Sequence, residues 1–362
     1  MSPAGSRHNA AARARRTPAF PVALALVLVL CLVLAAAACS DEEPAVTGPR
    51  QPANPAPIVW GIAENLHRDP TTIDQKVALM KRLGVRMVRM DLGTTPTDVR
   101  AVRTARRAGL RVLGVVLGPR EPEAYAEWIS ELVTLYAPLG VHHYEIWNEP
   151  NIPHTWPTAD DPARAVPEYM ALVRAAYPRV KRIDPRSVVL VGALSRRETV
   201  GGRPNDWLAA MYDNGLEGNF DAISVHPYTD PELPGEDTPA AYAWREMAGP
   251  WTDRNPSMRD EMIAHGDGDK RIWITEYSAP TGGGLGTPVD EERQAQIARR
   301  AVTLAQSYPW LGGFFWYGLR DQPSGSEAFG LLRADWTVKP AYRAYAGQIR
   351  ATRGRPAGST AP

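Results

Sequence analysis

Apolar residues come in short blocks along this chain, and each block is followed by a longer, mixed stretch with helical spacing. The blocks are IVWGIAEN (58–65), VRMVRMDLG (85–93), LRVLGVVLG (110–118), VHHYEIWN (141–148), SVVLVGAL (187–194), FDAISVHPY (220–228), RIWITEYS (271–278) and GGFFWYGL (312–319). Their length and their content of β-branched and aromatic residues predict strands. The stretches between them predict helices, most clearly PEAYAEWISELVTLYAPLG (122–140) and DEERQAQIARRAVTLAQSYP (290–309). Strand–helix alternation predicts a parallel α/β sheet, and eight units predict a closed (β/α)8 barrel of the TIM type. The alternative is an open doubly wound sheet, but no glycine-rich phosphate loop follows the first block. TGGGLG at 281–286 reads as a flexible loop, because it lacks the Lys-Ser/Thr of a phosphate site.

The two ends follow a different pattern. Arg7, Arg13, Arg15 and Arg16 precede an unbroken apolar run from Val22 to Ala38, with no acid before Asp41. That arrangement predicts an export signal or membrane anchor over 1–39. AAAC at 36–39 resembles a bacterial lipoprotein signal, which implies that Cys39 is lipidated; ordinary cleavage after Ala38 and an uncleaved anchor are the alternatives. Residues 40–57 hold five prolines and few apolar side chains, so they predict an extended tether. Residues 351–362 predict a disordered tail. The barrel is therefore expected over 58–350, exported and held at the outer face of the cytoplasmic membrane by the N-terminal lipid or anchor, or else secreted.

Composition narrows the function classes. The 362 residues are 44% hydrophobic and 22% charged, which is globular, and long enough to bury a core without disulfides. Removing the leader takes away four of 41 basic residues and none of the 40 acidic ones, so 37 − 40 leaves a net charge of −3. There is no basic surface to suggest nucleic acid. Cys31 and Cys39 are the only cysteines, so a mature chain beginning at Cys39 has no internal disulfide. His142 and His143 fall on opposite faces of one strand, and no clustered His/Cys/Asp spacing occurs, so neither a metal nor another cofactor is expected. A monomer is expected.

Two acids stand where strands run out. Glu149 lies in YEIWNEPN, just past the fourth block, and Glu276 lies near the end of the seventh, in RIWITEYS. In such barrels the C-terminal strand ends carry the chemistry. Ile272, Ile274 and Glu276 share a parity, which predicts that Glu276 points inward above two core residues. Neither parity set around Glu149 is cleanly apolar, so alternation leaves its facing open. Paired carboxylates at a barrel mouth suit glycosidic bond cleavage, in which one acid protonates the leaving oxygen while the other, ionised, attacks the sugar carbon. Partial burial and the second carboxylate are expected to raise the Glu149 pKa.

WNEPN at 147–151 and ITEYS at 274–278 resemble the strand-four and strand-seven motifs of the clan A glycoside hydrolases, family 39 and its cellulase-like relatives in particular. The resemblance spans roughly residues 58–350 and implies a retaining hydrolase of oligo- or polysaccharides. It implies Glu149 as acid/base and Glu276 as nucleophile, with Asn148 binding the sugar hydroxyl beside the reacting carbon. LGVRMVRMDLG implies Arg89 as support for the nucleophile, SVHPY places His226 and Tyr228 at the end of strand six, and FFWYGLRD places Trp316 as floor of the sugar site. The closing FGLLRADWTVKPAYRAY resembles the same families. A histidine that many clan members carry at the end of strand three is missing from VLGVVLGP.

Plainer readings stand beside these. Arg89 could pair with Asp91 or a helix acid, His226 could be a bonded core histidine, and Trp316 could be core, since Phe314 shares its parity. Trp156, Trp244, Trp251 and Trp336 lie in segments that would overhang the mouth, either as sugar-stacking faces or packed on loop prolines. The loop at 229–263 is expected to shape the cleft. A carbohydrate-binding lipoprotein without catalysis, and a cell-wall transglycosylase using the same residues, are the rival functions.

Overall fold

The computed structural model describes residues 57–196, 202–239, 241–249 and 256–352. Eight parallel strands close into a barrel: β1 (Val59–Ala63), β2 (Met87–Asp91), β3 (Arg111–Val116), β4 (His143–Ile146), β5 (Val188–Ser195), β6 (Ala222–His226), β7 (Arg271–Tyr277) and β8 (Leu311–Tyr317). Each strand pairs with the next, and β1 closes on β8 with Val59 opposite Gly313 and Ala63 opposite Tyr317. Every predicted block therefore forms a strand. The predicted helices at 122–140 and 290–309 are Pro122–Tyr136, continued by a 3-10 turn at Ala137–Leu139, and Glu291–Gln306. The final helix, Pro340–Thr352, runs two residues into the predicted tail. The leader, Cys39, nearly all of the tether, Trp251 and the rest of the tail lie outside the described residues. Among the described residues, no helix is long and apolar enough to cross a membrane.

Local chemistry starts the helices where the chain leaves the strands. Thr95 and Asp98 cap the helix Pro96–Arg107 reciprocally, and Ser257 and Asp260 do the same for Met258–Ala264. Proline opens the helices at 96, 122, 162 and 204, where its missing N–H costs nothing.

The apolar packing is in two layers. The larger lies between barrel and helices and contains Ile62, Val88, Ile146, Val191, Ile272, Ile274, Phe314 and Trp316. The smaller plugs the barrel itself, with Met87, Leu113, Leu190, Ala222, Trp273 and Phe315. Trp273 needs glycine opposite it: a Cβ on Gly312 or Gly313 would come within 2.1 or 2.4 Å of its indole. Above the plug, at the C-terminal ends, the inward face turns polar with Arg89 and Glu145.

His142 and His143 face opposite ways, as expected. His142 Nδ1 lies 2.6 Å from Asp184 Oδ2, while His143 packs on Trp273 in the barrel.

Candidate active site

Simple alternation fails at three strand ends, and those failures build the site. On β4, Glu145 faces inward and Ile146 outward. Trp147 then takes φ 69° and Glu149 φ 48°, left-handed values that non-glycine residues rarely adopt. The Trp147 ring thereby joins the outer layer, 5.1 Å from Trp156, and Glu149 reaches the mouth. Strain of this kind costs about 1–3 kcal/mol per residue and persists only where neighbours hold it. Asn151 does so: it is fully buried, donates to Ser195 O at 2.7 Å and accepts from Ser195 N at 2.8 Å.

On β5 the register shifts between Val191 and Leu194, where Gly192 has φ 111° and Ala193 φ 47°. Only glycine suits position 192, since a Cβ would also lie 2.9 Å from Ser224 O. The bulge turns Ser195 toward Glu149, to which its hydroxyl donates.

On β7 the expected facing is corrected. Ile272 and Ile274 pack outward against the helices, and Trp273 fills the barrel. A register shift between Ile274 and Tyr277 reverses the alternation, so Glu276 still reaches the mouth. The inward position expected of Glu276 is right, but parity with the two isoleucines is not its cause.

Arg89 ties the strand ends together. It is 6% exposed, and each of its three nitrogens is engaged. Nε donates to Glu145 at 2.6 Å, Nη1 to Glu276 at 2.5 Å and Nη2 to Asn148 at 2.6 Å. Burial works against its charge, but Glu145 and Glu276 outweigh that and raise its pKa. The plainer pairing with Asp91 is not made; Asp91 instead accepts from Asn65 at 2.8 Å.

The two acids have different surroundings. Glu276 accepts from Arg89 and, at 2.9 Å, from the Tyr228 hydroxyl. Glu149 lies 2.8 Å from His226 Nδ1, and the other nitrogen of that ring lies 3.0 Å from Thr275 Oγ1. His226 is fully buried, so it is a bonded core histidine and a partner of Glu149 at once. The raised pKa expected of Glu149 is overturned. Burial does push it up, but the bond and charge of His226, the Ser195 hydroxyl and Arg89 together hold it below the ordinary carboxylate value.

Glu149, His226 and Glu276 each place one donor atom within 4.8 Å of the others. A cation could be surrounded there in principle. The chemistry of the donors speaks against one, because both imidazole nitrogens are hydrogen-bonded and Arg89 already brings a positive charge to Glu276.

Trp316 does not line the mouth. It is fully buried in the outer layer, 5.9 Å from the Tyr345 ring, and its indole N–H donates to Phe329 O. Its neighbour Tyr317 faces inward instead, and after burial the charges of Glu276 and Glu327 raise its pKa. Trp156 and Trp244 are likewise buried in the outer layer, and Trp336 is half-buried against Arg320. Among its described residues, the segment from 229 carries the helices Tyr242–Ala248 and Met258–Ala264. Glu145, Ser195, Thr275 and Tyr317 were not singled out from the sequence. Inward parity could have flagged Glu145 and Tyr317; no local signal marks Ser195 or Thr275, which follow or flank irregularities.

The glycosyl hydrolase catalytic core family matches residues 121–345. The chain belongs to that family. No curated protein sequence matches it. A family 39 glycoside hydrolase from Bacteroides cellulosilyticus is similar in structure, with TM-score 0.59 at 20% identity over 83% of this chain. The chain covers 65% of that enzyme, just under two thirds. A family 5 glycoside hydrolase from Streptomyces cattleya, in complex with Manβ1-4GlcNAc, has TM-score 0.59 at 18% identity over 83% of this chain and 82% of its own. A monomeric β-xylosidase from Caulobacter crescentus has TM-score 0.54 at 18% identity, over 82% and 69%. These likenesses show a shared (β/α)8 barrel fold.

Proposed function

We propose that this protein is a glycosidase acting on a carbohydrate substrate, that it is a retaining enzyme working by double displacement, and that it is exported. The supporting observation is the approach of the two acids, an oxygen of one within 4.8 Å of an oxygen of the other. Double displacement places the carboxyl groups about 5–5.5 Å apart, whereas inversion needs roughly 6.5–9.5 Å to admit a water.

The surroundings divide the roles. Arg89 and Tyr228 each donate one hydrogen bond to Glu276, which attacks the anomeric carbon as an anion. The bond from that carbon to the leaving oxygen breaks, and Glu149 gives that oxygen its proton. The product is a glycosyl ester on Glu276. Water then attacks the same carbon, Glu149 takes the water's proton, and Glu276 leaves as a carboxylate. Glu149 must be protonated at the outset although the free protein favours its anion. A bound sugar removes water from the mouth and strengthens burial, the one influence that pushes the Glu149 pKa up. His226 can accept or donate at Nδ1, because the Thr275 hydroxyl at Nε2 suits either tautomer. Asn148, its Oδ1 held by Arg89, keeps its amide N–H groups for a sugar hydroxyl.

Two substitutions test the roles. Glu149→Ala should release a burst of a good leaving group and then stall, and azide should restore turnover with a glycosyl azide of retained configuration. Glu276→Ala should show no burst, and azide should give the opposite anomer. A burst that follows loss of Glu276 instead would reverse the assignment, and unchanged turnover in both would end the reading. For export, the N-terminal leader and the cysteine at 39 support a lipid-held protein; mass spectrometry of the mature terminus should find a modified Cys39, and an unmodified one or an intact leader overturns that part.

A further inference from the structure

Glu145 is an acid that the double displacement does not use. It is fully buried on the inward face of β4, and its Oε2 accepts from Arg89 Nε at 2.6 Å. Its other oxygen, Oε1, is buried with no hydrogen-bond partner among the described residues. Tyr125 and Tyr169 lie within electrostatic reach, but their hydroxyls donate to Val116 O and Ile146 O. Glu145 thus spends a buried charge on one contact. A neutral acceptor such as glutamine could orient Arg89 Nε equally well, without the cost of a second buried anion.

We propose that Glu145 is a positioning residue whose negative charge limits the hold of Arg89 on Glu276 and balances Arg89 once Glu276 has bonded to sugar. The inference rests on the nucleophile role of Glu276. In the free enzyme one guanidinium faces two carboxylates, so Glu276 receives only part of its charge and keeps a reactive electron pair. When Glu276 becomes an ester it loses its charge, and Arg89 and Glu145 remain as a matched buried pair. Without Glu145, forming the ester would leave Arg89 buried and uncompensated. The charge therefore favours the later state over the earlier one, which is what accelerates a step.

The test is the pH dependence of kcat/KM on an aryl glycoside with a good leaving group, in the full chain. Its acidic limb reports ionisation of the nucleophile in the free enzyme. Glu276 is faced by Arg89 from β2, Glu149 from β4, Tyr228 and His226 from β6 and Tyr317 from β8, and all of these are kept in the variants. Glu145→Gln and Glu145→Met both remove the charge, and methionine brings no new donor. Each should move the acidic limb down by about one pH unit and lower kcat/KM at its plateau at least about tenfold. Glu145→Asp keeps the charge and should leave the limb in place. If Glu145 only props up Arg89, its loss frees the guanidinium and the limb moves up; that outcome, or an unmoved limb in a folded neutral variant, overturns the proposal. Failure of both neutral variants to fold overturns it too, since the charge would then serve the fold. A wild-type chain inactive on every aryl glycoside would strike at the retaining reading instead.

Discussion

Strands β4 and β7 each bring one acid to the barrel mouth, and they do so by unlike devices. On β4 the strand has already ended at Ile146, and two left-handed residues, Trp147 and Glu149, swing the acid inward. That loop is anchored from β5 through Asn151. On β7 the strand continues to Tyr277, and a register shift inside it turns Glu276 inward. The first device leaves its acid against the His226 imidazole. The second leaves its acid against fixed donors, Arg89 and Tyr228. In the double displacement proposed above, the difference suits one acid to gain and lose a proton and the other to stay charged. It also teaches that a period of two stops being a guide at the strand ends, where active sites of this architecture form.

Arg89 is where the two devices meet, so its loss should have the largest effect. Arg89→Met should cost on the order of a thousandfold in kcat/KM, as removal of a buried electrostatic donor does, and about 3–5 kcal/mol of stability, because two buried carboxylates lose their cation. Kinetics and denaturant unfolding would measure both, and a loss under tenfold would mean that the strands are positioned independently. On the β4 side, Asn151→Ala removes both bonds to Ser195 and should lower kcat by roughly a hundredfold through displacement of Glu149. If stability falls while kcat holds, the strained turn needs no anchor. On the β7 side, Tyr228→Phe removes one of the donors to Glu276 and should cost about tenfold in kcat with the melting temperature little changed.

His226→Phe keeps a ring but removes the bond and charge that depress Glu149. Burial then dominates and the Glu149 pKa rises. A general acid works while protonated, so the basic limb of kcat/KM should move to higher pH; a move to lower pH would contradict the pairing. The smallest effect on activity should be at Trp316. Trp316→Phe should leave kcat within about twofold and lower stability by about 1–3 kcal/mol, since the ring packs among helices. A large loss of activity would return Trp316 to the sugar site.

All eight strands were legible in the sequence, because buried parallel strands must be short and apolar and the helices between them must be amphipathic. Glu149 and Glu276 were legible for a related reason: an acid at the edge of such a block has few structural uses. Arg89, Asn148, His226 and Tyr228 came from motif resemblance, and the structure brings all four to the two acids. Trp316 did not join them. The same resemblance singled out position 316, but facing is a property of the closed sheet, and the pairing of Ala63 with Tyr317 sends the neighbouring residue inward.

Composition and periodicity along the chain determined the barrel and the height at which the acids stand, because those depend on which residues each segment can bury. Which side chains meet was decided only in the tertiary structure. Ser195 touches Glu149 through a bulge 46 residues farther along, and Arg89 meets Glu276 across 187 residues. Closure of β1 on β8, two left-handed residues and two register shifts set those meetings, and with them the bonds that separate the two acids electrostatically. Such irregularities are stabilised by packing and hydrogen bonds from distant segments, so no local stretch of sequence contains their cause.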